Sequence, residues 1–230
     1  MDEAKKVFSK DLIEERIGII RETMRSCARA EEPVLLPVTK TYPAEIINWL
    51  PEMGICEIGE NRVQEILAKV PDLRPEISIH QIGQLQTNKV RSVLPHVKTV
   101  QSVDRVSLVL ELQKQAKKSG RILPVLLEVN TSLEPQKGGV SPEDLPSLFE
   151  LCLQQDSLRV CGLMTVAPNA DPDTVRTHFR KTREWFEALQ PSAGESFRIL
   201  SMGMSSDYRI ALEEGSTMIR VGSAIFGQRS

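Results

Sequence analysis

Val34-Leu-Leu-Pro-Val-Thr-Lys-Thr-Tyr-Pro43 is an apolar, β-branched run that ends in one cation, Lys40, and breaks at Pro43. A run of about five such residues bounded by proline signals a buried strand, and an amine at its carboxyl end points into whatever site caps that strand. Pro43 can occupy the first turn of a helix through residue 50, and Gly54 lets the chain turn back into Ile55-Cys-Glu-Ile-Gly59, so the stretch opens a strand-helix-strand unit. A lysine buried beside other cations loses proton affinity and becomes a nucleophile able to form a Schiff base. A strand-terminal lysine snorkelling to solvent is the alternative, and this segment alone favours it.

The same alternation continues on both sides. Leu12, Ile13, Ile17, Ile19, Ile20 and Met24 form a helical stripe through the charged segment 10–30, ahead of the first strand. Downstream the pattern predicts a helix over 62–70, a strand over 77–82, a helix over 87–94 and a strand over 98–101. Asp104 then begins a helix to residue 118 that Gly120 ends, and 122–130 is the strongest strand in the chain. Ser141-Pro-Glu-Asp144 combines an N-cap with a proline at the first helical position, for a helix to residue 155. A strand over 158–164, a helix over 173–189, a strand over 198–201, a helix over 207–214 and a last strand over 217–221 follow.

Eight strands, each followed by a helix except the last, with the amino-terminal helix available to cover the gap, predict an α/β fold. It is a closed (β/α)8 TIM barrel, a single domain over 1–230, and its length is close to the ~250 residues typical of that fold. An open doubly wound sheet is the runner-up. It lacks its dinucleotide signature, G-x-G-x-x-G after the first strand, and the G-x-x-x-x-G-K-[ST] phosphate loop is absent too. With 230 residues, the chain can bury a core without a disulfide or metal staple. A net charge of -2 with interspersed signs argues against nucleic acid or an anionic membrane as partner. Cys27, Cys56, Cys152 and Cys161 are scattered without metal-ligand spacing and read as reduced thiols. No apolar signal region and no run of membrane-spanning length is seen, so a soluble, cytoplasmic protein is expected.

In such barrels the site lies at the carboxyl ends of the strands, and the loops after strands seven and eight commonly hold phosphate. Ser201-Met-Gly-Met-Ser-Ser-Asp207 follows the seventh, rich in glycine and hydroxyls. Arg220-Val-Gly-Ser-Ala-Ile-Phe-Gly227 spans the end of the eighth, where Gly222 permits close backbone approach and Ser223 supplies a hydroxyl. Taken singly, each is better read as local structure, Ser205 as a helix cap and Gly222 as a turn residue. Closure changes this, because strand eight then pairs with strand one and brings Lys40 beside the two loops. A ligand carrying both a phosphate and an aldehyde fits, and pyridoxal 5'-phosphate (PLP) is the obvious candidate. A Schiff-base sugar-phosphate aldolase is the rival, but it needs an acid or base that the sequence does not identify. Asn61 and His80 also stand at strand ends, where Asn61 can instead cap the following helix and His80 can be a satisfied core histidine. Glu57 and Glu128, inside strands, call for barrel-interior partners such as Arg or Lys.

Six ordered motifs carry a family resemblance. Val38-Thr-Lys-Thr-Tyr-Pro43, Gly59-Glu-Asn-Arg-Val-Gln-Glu65, His80-Gln-Ile-Gly-Gln-Leu-Gln-Thr-Asn-Lys89, Gly162-Leu-Met-Thr-Val-Ala-Pro168, Ser201-Met-Gly-Met-Ser-Ser-Asp207 and Ile219-Arg-Val-Gly-Ser-Ala-Ile-Phe-Gly227 closely resemble the pyridoxal phosphate homeostasis protein family. The resemblance covers nearly the whole chain. That family looks like the barrel domain of alanine racemase without the racemase's second, β-rich domain. The resemblance implies that Lys40 holds PLP as a Schiff base, that Ser205, Gly222 and Ser223 fall in the phosphate cup, and that Arg220 faces the pyridine nitrogen. It also places Asn61, His80 and Met164 near the cofactor, and it implies no catalytic residue and no metal. Ile79 and Gln81 depart from the aromatic residues that often flank the motif histidine. The implied function is a PLP carrier in vitamin B6 homeostasis that supplies apo PLP-dependent enzymes, with a monomer expected. A small alanine-racemase-like PLP enzyme and a PLP-responsive interaction module are the alternatives.

Overall fold

Parallel strands are covered on both faces, and eight short buried strands, several of them carrying polar residues on the inward face, define this molecule. The computed structural model describes residues 9–27, 33–134 and 137–227. The strands are β1 (Val34–Pro37), β2 (Glu57–Glu60), β3 (Ser78–Gln81), β4 (Thr99–Val103), β5 (Leu123–Val129), β6 (Leu158–Thr165), β7 (Ile199–Ser201) and β8 (Met218–Val221). All pair in parallel in the order β1-β8-β7-β6-β5-β4-β3-β2. Leu36 stands beside Arg220 and Pro37 beside Val221 across the β1/β8 pair. The sheet closes just beyond β1, through a bridge between Val38 and Gly59 and a 3.0 Å bond from the Thr39 N–H to the Gly59 carbonyl. The result is a nearly closed TIM barrel.

Strand alternation divides the buried residues into two layers. Ile58, Ile79, Val100, Leu127, Leu200 and Ile219 face the helices and join the main core. The alternate positions point into the barrel, where Leu126, Cys161 and Met164 form a small apolar cluster amid polar side chains.

The helices are α1 (Lys10–Cys27), α2 (Ala44–Ile47), α3 (Val63–Lys69), α4 (Val90–Val93), α5 (Val106–Lys118), α6 (Leu145–Leu153), α7 (Pro172–Ala193), α8 (Tyr208–Glu213) and α9 (Ser223–Phe226). Helix α1 buries Ile13, Ile17, Ile20 and Met24, worth roughly 1.5–3 kcal/mol per side chain. Leu12 and Ile19, counted in the same stripe by sequence, face solvent instead. Through the Arg16 guanidinium, which donates to the Ile225 carbonyl at 3.1 Å, α1 reaches α9 and covers the gap as expected. The early crossovers are shorter than predicted because Pro51, Pro71 and Pro95 each open a 3-10 turn, proline being incompatible with an α-helix interior. Asp104 does not cap α5; it pairs with Arg105 at 2.5 Å, and the helix starts at Val106. Ser141 Oγ accepts the Asp144 N–H at 3.1 Å, but it caps a turn and not the helix itself, since α6 starts at Leu145 with Asp144 as its N-cap residue.

Candidate cofactor site

The closing seam of the barrel carries Lys40 one residue beyond Thr39. Tyr42 donates its N–H to the Thr39 carbonyl at 3.0 Å, so residues 39–42 form a β-turn with Lys40 at its second position. The third position, Thr41, has φ 71°, a left-handed conformation that a β-branched residue adopts only under constraint. The constraint is visible: the Thr41 N–H donates to Glu65 Oε2 at 2.6 Å. Lys69 Nζ donates to the Thr39 carbonyl at 2.8 Å and to Glu60 Oε1 at 2.6 Å, and Thr39 Oγ1 donates to the same Glu60 oxygen at 2.6 Å.

Across the seam the loops after β7 and β8 are tied together by one atom. Ser205 Oγ accepts the N–H groups of Gly222 and Ala224, each at 3.2 Å. Ser205 therefore does not cap its own helix α8; it joins the β7 loop to the turn that follows β8. Two amides converging on one oxygen is the geometry of an anion nest, and the Ser205 oxygen marks where an anionic oxygen can be received. Glycine is required at one side of this cup and leaves close room at the other. Gly203 has φ 94°, and a Cβ there would lie 2.6 Å from the Ala211 Cβ; a Cβ on Gly222 would press to 3.2 Å from the Val38 carbonyl oxygen. Ser223 opens α9, a turn of helix the sequence reading missed. Since the Val38 N–H donates to the Val221 carbonyl at 2.8 Å, the cup and the Lys40 turn are backbone neighbours.

The barrel interior beneath the cup is polar and buried. Arg220 is 3% exposed, and its guanidinium donates to the Ser201 carbonyl at 2.7 Å, to Ser201 Oγ at 2.8 Å and to the Thr165 carbonyl at 2.7 Å. Burial pulls its pKa down to about 10, with Glu128 and Asp207 opposing, so it stays charged at neutral pH. From Ser201 the chain of bonds continues: Ser201 Oγ donates to Gln101 Oε1 at 2.8 Å, and Gln101 Nε2 meets His80 Nδ1 at 2.9 Å. The amide donor makes Nδ1 the acceptor and puts the ring proton on Nε2, which lies 3.2 Å from Glu57 Oε2, at ion-pair distance but outside hydrogen-bond angle. His80, with Lys98 on the other Glu57 oxygen, holds the Glu57 pKa down to about 2 against burial. Glu128 has no such partner. Its Oε2 has no hydrogen bond among the described residues, and burial, reinforced by Asp104 and opposed by Arg220, raises its pKa to about 7.

Of the residues singled out by sequence, Lys40, Ser205, Gly222 and Ser223 gather at the seam, and Arg220 lies just below. Met164 packs in the interior apolar cluster, one strand over from its register neighbour Glu128. Asn61 sits at the carboxyl end of β2, where its carbonyl accepts from Gln81 Nε2 at 3.3 Å; it does not cap α3, whose N-cap is Arg62. His80 is deeper than the rest and reaches them only through Gln101 and Ser201, a satisfied core histidine on one ring nitrogen. The expectation of a cationic partner is met for Glu57 by Lys98; for Glu128 the cation is Arg220, which acts on it electrostatically without a close ion pair. Glu60, Lys69, Gln101 and Ser201 were not anticipated, although Glu65 and Lys69 stand at i,i+4 spacing on one helix. A cavity of about 320 Å3 lined by Arg21, Met24, Val34, Cys56 and Glu57 among others opens at the opposite, amino-terminal end, away from all of the seam residues.

Residues 13–230 match the family described as alanine racemase, N-terminal domain. The pyridoxal phosphate homeostasis protein of Aquifex aeolicus is 42% identical over 217 residues, 92% of this chain and 95% of that one. Among solved structures, PipY of Synechococcus elongatus with PLP bound has a TM-score of 0.83 at 34% identity, over 94% of this chain and 100% of that one. The alanine racemase of Streptomyces coelicolor aligns at TM-score 0.75 and 18% identity over 96% of this chain and 59% of that one, a likeness of fold. The barrel, its order of strands and these relatives together mean that the chain belongs to the pyridoxal phosphate homeostasis protein family, within the wider family of alanine racemase N-terminal domains.

Proposed function

We propose that this chain binds pyridoxal 5'-phosphate and serves in its homeostasis as a carrier without robust catalysis, able to supply apo PLP-dependent enzymes. The carrying observation is the pair of amides, Gly222 and Ala224, converging on Ser205 Oγ beside the turn that bears Lys40. Pyridoxal phosphate supplies a phosphate dianion and an aldehyde carbon that condenses with a neutral amine, releasing water. Lys40 provides that amine, and Ser205, Gly222 and Ser223 receive the phosphate. Asn61 and Met164 border the ring, and His80 supports it from below through Gln101 and Ser201.

Arg220 is assigned to the pyridine nitrogen. A guanidinium donates hydrogen bonds and accepts none, so it disfavours protonation of that nitrogen and weakens the electron sink that PLP enzymes exploit. Three acceptors pin it, so it cannot swing away. Racemisation also needs an acid-base group on each face of the substrate carbon. Tyr42 is engaged elsewhere, donating to the Gly227 carbonyl at 3.1 Å and packing on Phe226 with ring centroids 4.5 Å apart. The proposed unit is one barrel domain, a monomer in the cytoplasm; among the described residues no helix is long and apolar enough to cross a membrane.

The test is the visible absorbance of the purified protein before and after borohydride, followed by peptide mapping. A reduced pyridoxyl label on Lys40 is expected, with Lys40→Ala folded, lacking the covalent band and retaining weak binding through the cup. A label on Lys89 or Lys137 with Lys40 unmodified overturns the assignment. Efficient interconversion of D- and L-alanine by the pure protein, abolished by changing Tyr42 or Tyr208, overturns the non-catalytic reading.

A further inference from the structure

Lys40 is flanked on both sides by backbone groups that a charged cluster grips. On the amino side, Lys69 Nζ holds the Thr39 carbonyl at 2.8 Å, while Glu60 Oε1 takes both Lys69 Nζ and Thr39 Oγ1 at 2.6 Å. On the carboxyl side, Glu65 Oε2 takes the Thr41 N–H at 2.6 Å and lies 3.5 Å from Lys69 Nζ. The Lys69 side chain is 11% exposed and that of Glu60 0%. Burial raises the Glu60 pKa, with Lys69 and Thr39 opposing, so the cluster is not built for stability alone; replacing a buried ion pair with apolar groups is often neutral or better. What the cluster does hold is Thr41 at φ 71°. Such a conformation costs on the order of 1–3 kcal/mol and persists only where the surroundings over-determine it.

We propose that Lys69, bridging Glu60 and Glu65, is a positioning residue that locks the 39–42 turn in its strained form and thereby presents the Lys40 amine to the cofactor aldehyde. The inference rests on the assignment of Lys40 as the cofactor-linked lysine. Lys69 itself is not a rival nucleophile, since its ammonium is paired with two carboxylates and a carbonyl. Freed from the cluster, the turn relaxes at Thr41 and Lys40 samples orientations that do not meet the aldehyde.

The experiment adds pyridoxal phosphate to the cofactor-free full-length protein, follows the covalent band by stopped flow, and measures exchange of the Thr41 amide proton by NMR. In Lys69→Met the band should form about tenfold more slowly and the Thr41 amide exchange at least about tenfold faster, the size expected from releasing one strained residue. Lys69→Arg should restore most of both. Thr41→Gly in the Lys69→Met background should recover most of the rate, because glycine takes the left-handed conformation without penalty. Wild-type rate or wild-type amide protection in a folded Lys69→Met overturns the proposal. Should Lys69→Met fail to fold, Glu65→Gln, which keeps an acceptor oxygen and removes the charge, is read in the same way, with no slowing counting against the clamp. If borohydride labels a lysine other than Lys40 while Lys69→Met still deprotects Thr41, the cofactor assignment fails and the turn clamp stands.

Discussion

Glu57 and Glu128 are glutamates on strands of the same barrel, both pointing inward, and the fold treats them in opposite ways. Glu57, at the amino-terminal end, is met by His80 and Lys98 and held down to about 2. Glu128, at the carboxyl-terminal end, is 7% exposed, has an oxygen without a partner and is raised to about 7. At the amino-terminal end the Glu57 charge is answered by Lys98 and His80 at contact distance. The carboxyl-terminal end is left with an unanswered carboxyl, a pinned guanidinium and converging amides, an arrangement that costs stability and is found where a ligand completes the electrostatics.

The largest expected effect tests the paired side. The ordinary carboxyl pKa is 4.5, and Glu57 is held at about 2 in the fold. Its contribution is therefore present above pH 4.5 and is lost as pH falls through about 2, because the unfolded chain takes up the proton first. The displacement corresponds to roughly 3 kcal/mol. Glu57→Gln should lose on the order of that amount at pH 7 and flatten the decline in urea stability between pH 4.5 and 2. An unchanged decline in the variant would mean that other carboxylates carry the acid limb.

Glu128 should behave with the opposite sign. Its folded pKa of about 7 lies above 4.5, so between those values the folded protein keeps a proton that the unfolded chain has released. Stability then falls as pH rises through this window, and the full penalty applies above pH 7. In the cofactor-free protein, Glu128→Gln should gain about 3 kcal/mol at pH 8 and little at pH 4.5. Destabilisation at pH 8 would break the contrast, since it would reveal an ionised partner for Glu128.

The unequal treatment of the two glutamates also shows where sequence reasoning stops. The eight strands were legible because each carries apolar residues on its helix-facing side and is bounded by turn residues, and Lys40, Ser205 and Gly222 were legible because they stand where strands end. Glu57 and Glu128 look alike locally, and only the packing of strands decides that Lys98 and His80 reach one at contact distance while Arg220 acts on the other only from further off. The same holds for Ser205, whose amide partners lie 17 and 19 residues away, and for Lys69, which grips a carbonyl 30 residues upstream. Errors of local origin have local causes. Prolines cut the early crossovers, Asp104 found Arg105 before it could cap a helix, and α9 is too short to show a period.

Gln101 is the joint between the two ends, taking the Ser201 hydroxyl on one side and His80 on the other. Gln101→Met keeps the volume and deletes both of these bonds together with the weaker one to Met218 Sδ at 3.2 Å. It should cost about 1–2 kcal/mol by thermal unfolding, the penalty for leaving a buried imidazole nitrogen and a hydroxyl under-satisfied. A cost below about 0.5 kcal/mol would mean that water replaces the amide and that the interior is wetter than its burial implies.

The smallest effect is the most telling about how the ends communicate. Glu128 makes no side-chain hydrogen bond to Ser201, Gln101 or His80, and the guanidinium between them is fixed by carbonyl and hydroxyl acceptors. A proton arriving on Glu128 can therefore polarise the chain of neutral dipoles but has no bond through which to reorient it. A double-mutant cycle of Glu57→Gln and Glu128→Gln, run at pH 8 where both wild-type carboxyls are charged, should give a coupling below about 0.5 kcal/mol, the range of sites without shared partners. Like charges repelling directly across the interior would push the coupling well above that value, and so would a relay that switches its hydrogen bonds when Glu128 ionises. Gln101→Met separates these two outcomes: it abolishes a coupling carried by the relay and leaves a direct repulsion in place.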